Sequence, residues 1–452
     1  MTTRDMTQGR VGGQILLFTL PIMAGNFLQQ LYNAVDGIVV GNYVTDPYAL
    51  AAVGTCTALT MVYLSLAFGL GIGCGVLVSQ LFGAGDTAAV RRAVATALIL
   101  MTGVGAALTI VGVTCSGPLL RWVLAVDEQA LPLARQYLTV YSIGLVFQFI
   151  YNAAAALLRA VGDSKAMLLF LLVSSVLNVG LDFLFVLVLH FGVGGTATAT
   201  VIAQAAAAVI AMRYLLKGPL APKKEDWRFD KAMGRMMVRL SVPSIFQQLA
   251  VSLGNTAVQR LVNAFGTVSM EAYTAASRLQ NFIFVPIMGF NAGISSFTGQ
   301  NIGEERLDRV YKGFRHTLYM TLVCTAILAA VIWLFSAPLV ALFGCTGEAL
   351  ERGVAQMRFL APFFILFSVH MTCSGVLQGS GDVTVASTAT ICALLLRIIV
   401  GYCMFWFTDI GFSLVWKCVP FSWGLSICIT LPRFLSGAWK EKSVAKRQAR
   451  GQ

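Results

Sequence analysis

Charge is scarce in this chain. Asp, Glu, Lys and Arg together supply only 12% of its 452 residues, against 57% hydrophobic residues and a mean hydropathy of +0.78. Soluble domains carry about 25% charged residues, so this composition excludes a soluble globular protein. Paired cysteine spacing is also missing: the ten cysteines fall mostly inside apolar runs and read as small buried hydrophobes, which argues against a disulfide framework. There is no His/Glu/Cys cluster with metal-ligand spacing, no nucleophile elbow and no phosphate-binding loop. "GLGIGCG", Gly69 to Gly75, sits within an apolar run without the Lys and Ser/Thr that a P-loop needs, and reads as close helix packing. The chain is therefore expected to be no enzyme and to hold no cofactor or resident metal.

Long apolar runs are what the sequence does have. A bilayer core takes about 20 apolar residues per helix, and about twelve such runs fit, at residues 14–40, 49–81, 93–115, 131–157, 166–189, 195–216, 238–263, 270–299, 316–336, 353–377, 384–408 and 412–432. The first is too long for a signal-peptide core and no small-residue cleavage site follows, so it is expected to be a true span. The expected fold is an all-α integral membrane protein of 12 transmembrane helices.

The net charge of +12 does not point to nucleic acid, because the basic residues follow membrane topology. With the N-terminus inside, 24 of the 32 Lys and Arg residues fall in inside segments, which by the positive-inside rule places both termini in the cytoplasm. The basic tail "KEKSVAKRQAR" then rests near anionic lipid headgroups. The stretch from Lys217 to Arg235, "KGPLAPKKEDWRFDKAMGR", divides the spans six and six. It bounds an N-lobe at 1–216, a linker at 217–237, a C-lobe at 238–436 and a tail at 437–452.

The two halves repeat one plan. Pro21 and Asn33 match Pro243 and Asn255 at an offset of 222; Gly69, Gly73, Gln80, Gly83 and Pro118 match Gly289, Gly293, Gln300, Gly303 and Pro338 at 220; Leu158, Gly162 and Asp163 match Leu377, Gly381 and Asp382 at 219. Six spans per half is an even number, so the repeats share one orientation and two six-helix bundles related by a pseudo-two-fold axis along the membrane normal are expected. That architecture implies transport by alternating access.

The first span, "LPIMAGNFLQQLYNAVDGIVVG", the loop "SQLFGAGD" with its counterpart "GQNIGEER", and the turn "LLRAVGDSK" with its counterpart "VLQGSGDVT" resemble the multidrug and toxic compound extrusion (MATE) family over essentially the whole chain. The resemblance implies cation-coupled export of amphipathic, often cationic compounds. It also implies a functional acid fifteen residues after a proline in the first span, here Asp36 and Pro21; an Asn and an Asp four apart in the fifth, here Asn178 and Asp182; and an Ala-Thr pair in the sixth, here Ala199 and Thr200. Some members carry acids in the seventh and tenth spans. This chain has Gln247, Gln248, Gln259, Arg260 and His370 there instead, so it resembles the DinF-like branch with coupling confined to the N-lobe.

The residues themselves support that implication. A charge at the bilayer centre costs roughly 2.5 to 3.5 kcal/mol on insertion scales, and of the twenty acids only Asp36 and Asp182 lie well inside spans. Asn178 and Asp182, at i and i+4, share one helix face. With Asp36 and Thr200 they are expected to form an oxygen-rich pocket for the coupling ion, a proton in preference to sodium, while Pro21 weakens the first helix as a hinge. Gln29, Tyr32, Phe147, Tyr151 and Asn152 combine aromatic faces with amides and are the expected substrate contacts. The partners expected are small amphipathic molecules and membrane lipids, with no nucleic acid, for a monomer in the plasma membrane. A flippase of lipid-linked sugars or peptidoglycan precursors is the alternative function.

Overall fold

The computed structural model describes residues 4–43, 49–124 and 126–443; for 32–43, 49–51, 123, 187 and 193 it describes the backbone alone. Among the described residues every regular element is helical. The principal helices are α1 (Val11–Tyr43), α2 (Ala49–Gly83), α3 (Thr87–Thr114), α4 (Leu131–Ile143), α5 (Leu145–Ala160), α6 (Ser164–Asp182), α7 (Gly192–Leu216), α8 (Lys231–Asn263), α9 (Thr267–Gly303), α10 (Leu307–Ala341), α11 (Gly347–Leu360), α12 (Phe364–Ser380), α13 (Val383–Phe407) and α14 (Val419–Leu435).

Among the described residues, ten stretches are long and apolar enough to cross a bilayer. An eleventh is α4 with α5, bent by 43° at Gly144. The remaining run, α8, has the length of a span but opens with Lys231, Arg235 and Arg239. Each apolar run expected from the sequence falls on one of these helices or helix pairs. Apolar side chains such as Leu169, Val176, Leu253 and Ile399 point outward, as they must where lipid replaces water.

Two compact units emerge. One holds Arg4 and Ala24–Ile245, the other Asp5–Met23 and the chain from Phe246. The packing boundaries fall inside α1 and α8, two residues after Pro21 and Pro243, whereas the sequence boundary lies in the linker between the repeats. The first part of α1 therefore belongs to the unit built from the second repeat, and the first part of α8 to the unit built from the first.

The pairings within each unit follow the repeat. In the first, α2 and α3 pack on α5, α6 packs on α7, and α5 on α7; in the second, α9 and α10 pack on α12, α13 on α14, and α12 on α14. The first core gathers Ala52, Cys56, Tyr63, Leu138, Tyr141 and Leu145. The second gathers Leu279, Ile283, Phe364, Phe367 and Trp423, with a further cluster that includes Met6, Ile15, Phe18, Phe297 and Trp439. The matched glycines Gly162 and Gly381 both take left-handed backbone, φ +85° and +90°, the conformation in which glycine ends a helix without steric penalty.

Candidate ion-coupling site

The site lies where α6 meets α7 in the first unit. Asn178 and Asp182 occupy successive turns of one face of α6 and are 2% and 1% exposed; Thr200 on α7 is half-buried. The Asn178 amide satisfies both ends only in one orientation. Its Nδ2 then donates to Asp182 Oδ2 at 2.9 Å and its Oδ1 accepts from the Thr200 backbone N–H at 3.3 Å. The opposite orientation offers a single long contact of 3.5 Å from Nδ2 to Thr200 Oγ1. We adopt the first, because a buried amide facing a carboxylate gains by presenting its donors. The Thr200 hydroxyl donates back to the Thr196 carbonyl at 3.0 Å, the usual bond of a helical threonine.

Asp182 is the last residue of the regular part of α6. A π-helical turn, Phe183–Val188, follows it. Such turns interrupt the regular ladder and recur at functional sites. The Ser174 hydroxyl donates to the Ala203 carbonyl at 3.3 Å, a second tie between α6 and α7 that the sequence pattern did not mark. The structure thus brings together Asn178, Asp182 and Thr200 of the four expected coupling residues. The fourth, Asp36, lies on the helical backbone of α1, and its side chain is outside the described residues, as is that of Tyr32.

The expected substrate contacts are spread over two helices. Phe147 and Tyr151 lie on one face of α5 and are half-buried, while Gln29 on α1 is exposed. Asn152 is buried and spends its amide on the Gln148 carbonyl at 2.8 Å. Gln148 and Tyr141, on either side of the α4/α5 bend, are buried as well. Sequence reasoning passed over both, since an isolated Gln or Tyr in an apolar run carries no spacing signal.

The second unit holds a polar cluster without an acid. Gln247 Nε2 donates to Thr390 Oγ1 at 3.1 Å, its Oε1 accepts from Ser387 Oγ at 2.9 Å, and Thr390 Oγ1 lies 3.5 Å from Nε2 of the buried His370. Of the arginines within spans, Arg397 lies near the Cys418 thiol, and Arg278 shares a cavity of about 300 Å³ with Glu271 and Phe343.

A sequence model of the MatE family matches residues 21–184 and 243–403, both repeats of this chain. The chain belongs to the MATE transporter family. Among its relatives is the probable multidrug resistance protein YpnP of Bacillus subtilis (strain 168), 28% identical over 450 residues, which are 97% of this chain and 98% of that one. The fold is similar to an outward-facing multidrug resistance MATE transporter, with a TM-score of 0.91 at 25% identity over 98% of this chain and 99% of the other. It is similar also to a MATE transporter in a bent conformation, with a TM-score of 0.89 at 26% identity over 98% and 99%. This MATE chain is accordingly a multi-pass membrane protein whose helices form two bundles.

Proposed function

We propose that the chain exports amphipathic, often cationic small molecules across the plasma membrane by cation-coupled antiport, with protons in preference to sodium. The observation that carries the reading is the Asp182 carboxyl, 1% exposed where two membrane helices meet and bonded to the Asn178 amide, which in turn meets Thr200. An acid at membrane depth persists where its charge is used. Binding a cation there neutralises the site and lets α6 and α7 pack differently around it, which is the differential stabilisation that coupling requires.

The donor set supports a proton. Asn178 Oδ1 accepts from the Thr200 N–H, and the Thr200 hydroxyl hydrogen goes to Thr196. A sodium ion would have to recruit several oxygens, whereas a proton needs one carboxylate oxygen. Asp36 is the second acid of this reading, and Pro21 the point where α1 bends. Both termini are cytoplasmic, coupling is confined to the first unit as in the DinF-like branch, and the monomer is the working form.

The test is efflux of a cationic dye from proteoliposomes under a proton gradient alone and a sodium gradient alone, for the wild type, Asp36→Asn and Asp182→Asn. The expected outcome is efflux driven by the proton gradient and lost in both variants. Efflux that follows the sodium gradient overturns the choice of ion. Normal transport by both variants overturns the site, and a wild type that moves no dye under either gradient favours the flippase.

A further inference from the structure

Two glycine notches hold the first parts of α1 and α8, and they correspond residue by residue across the repeat. In the second unit, α9 presents Gly289 and Gly293, one turn apart. A Cβ on Gly289 would stand 2.5 Å from Met23 Cγ, and a Cβ on Gly293 would collide with the Thr19 hydroxyl. In the first unit, α2 presents Gly69 and Gly73. A Cβ on Gly69 would meet the Ile245 side chain and stand 2.8 Å from its backbone N, and a Cβ on Gly73 would collide with the Ser241 hydroxyl and stand 2.5 Å from the Met237 carbonyl. Ser241 Oγ also donates to the Leu70 carbonyl of α2 at 3.3 Å. Thr19 and Ser241 are fully buried.

The offset of 222 that relates Pro21 to Pro243 also relates Thr19 to Ser241 and Met23 to Ile245, and the offset of 220 that relates Gly69 to Gly289 relates Gly73 to Gly293. Each notch therefore receives a hydroxyl residue and, four residues later, a large apolar one. Both docked segments end at the proline-bearing unit boundary.

The chain leading into each docked segment is tied to the same unit. Ahead of α1, the Met6 N–H donates to Gln300 Oε1 at 2.9 Å, and Arg309 donates to the carbonyls of Met6, Gln8 and Gly9 at 3.0 to 3.1 Å. Arg306 holds the Thr7 carbonyl at 3.0 Å. Ahead of α8, Asp226 pairs with Arg91 at 3.4 Å and the Asp230 N–H donates to Thr96 Oγ1 at 3.3 Å. These ties are polar, and the notches are close contacts on glycine that leave no room for a methyl group. Such a contact is made or broken as a whole, because a packed interface has discrete arrangements and no continuous range of them.

We propose that the two notches are paired latches that engage and release together, and that their joint engagement defines one end state of the transport cycle. The inference rests on the alternating-access reading above. Its physical basis is covalent. The segment docked in the second unit continues into α1 of the first, and the segment docked in the first continues into α8 of the second. A motion of either unit that withdraws one segment pulls on the other, and the helices yield where Pro21 and Pro243 each remove a backbone hydrogen bond.

Amide hydrogen exchange of the protein in lipid nanodiscs tests the pairing with no transport assay. Gly293→Ala crowds only the Thr19 notch, and Gly73→Ala only the Ser241 notch. Each is expected to raise exchange in both docked segments, residues 11–23 and 233–245, by about tenfold through the shift in population. A rise confined to the crowded notch overturns the pairing. Met23→Ala and Ile245→Ala loosen the same contacts by removing atoms and repeat the test without a clash.

The cycle claim is tested separately by oxidising the Thr19→Cys/Gly293→Cys double variant in proteoliposomes, with each single variant as control. Because the new side chain at position 293 already crowds the notch, the reference is the same double variant kept reduced: oxidation is expected to lower its transport by at least about tenfold, in keeping with a shift of the two-state population, and reduction to restore that reference level. Undiminished transport by the cross-linked protein overturns the latch as a moving part. A wild type that transports nothing counts against the function proposed above, while the exchange experiment still decides whether the latches are paired.

Discussion

The loop after α2 and the loop after α9 stand at matched places in the repeat and are built differently. After α2, Gly85 takes the left-handed turn at φ +74° and the Asp86 side chain caps α3 by accepting from the Ala89 N–H at 2.9 Å. After α9, the left-handed position is filled by Glu305 at φ +61°, and Arg306, in the place of the capping aspartate, makes no cap and holds the Thr7 carbonyl instead. Left-handed backbone costs a side-chain-bearing residue roughly 1 to 2 kcal/mol. The second loop has given up local fit for a grip on the chain ahead of α1.

The same divergence appears deeper in the units. The first unit carries a buried carboxylate beside an amide and a threonine, and the second carries Gln247, Ser387, Thr390 and His370 with no acid among them. Duplication supplied the frame twice. A buried carboxylate stands in one copy, and hydrogen bonding without carboxylates stands in the other.

The Gly-Asp turns give the largest expected contrast. Asp163 accepts from the Tyr214 hydroxyl at 2.8 Å, and its mate Asp382 pairs with Arg433 at 2.6 Å, with side chains 5% and 28% exposed respectively in the pair. Removing the arginine leaves a buried carboxylate uncompensated, so Arg433→Leu is expected to cost about 2 kcal/mol after allowance for the exposed guanidinium. Tyr214→Phe removes a bond from a neutral donor and is expected to cost about 1 kcal/mol. Thermal unfolding in detergent compares them, and equal losses would erase the distinction between the two turns.

A smaller effect separates the polar clusters. Gln247→Leu is expected to lower stability by about 1 kcal/mol, through the Ser387 and Thr390 hydroxyls it leaves without their amide, while the ion dependence of dye efflux stays that of the wild type. A changed ion requirement in that variant would mean that the second unit also takes part in coupling. The smallest effect should come from the loops, where Glu305→Gly is expected to gain about 0.5 to 1 kcal/mol and Gly85→Ala to lose about as much in the same unfolding assay. Destabilisation by Glu305→Gly would show that its side chain contributes more than its backbone costs.

Much of this frame was legible beforehand because hydropathy and offset are robust signals. Apolar runs of bilayer length have few alternatives to membrane helices, and Gly, Pro, Asn, Gln and Asp identities at fixed offsets exposed the repeat. The i, i+4 spacing of Asn178 and Asp182 placed them on one face, and Thr200, named with them from the family resemblance, meets the Asn178 amide. The packing partners were not legible. An apolar helix in lipid offers no polar face from which to read its neighbours, so nothing in "LLFTLPIMAGN" distinguishes the unit that Thr19 enters. The strap "DMTQGR" reads as an ordinary loop, since its grip runs through main-chain carbonyls that every residue possesses.

The sharing of α1 between units also has a consequence for synthesis of the chain. Thr19 leaves the ribosome early, but the glycine it docks against, Gly293, follows 274 residues later. At about 5 to 20 residues per second, the first helix spends roughly a quarter of a minute to a minute in the membrane with its docking face uncovered. The Ser241 side chain meets the opposite circumstance, since Gly73 has been in place throughout. During biogenesis the earliest helix is thus the one that stays longest open to a chaperone, an insertase or a wrong neighbour.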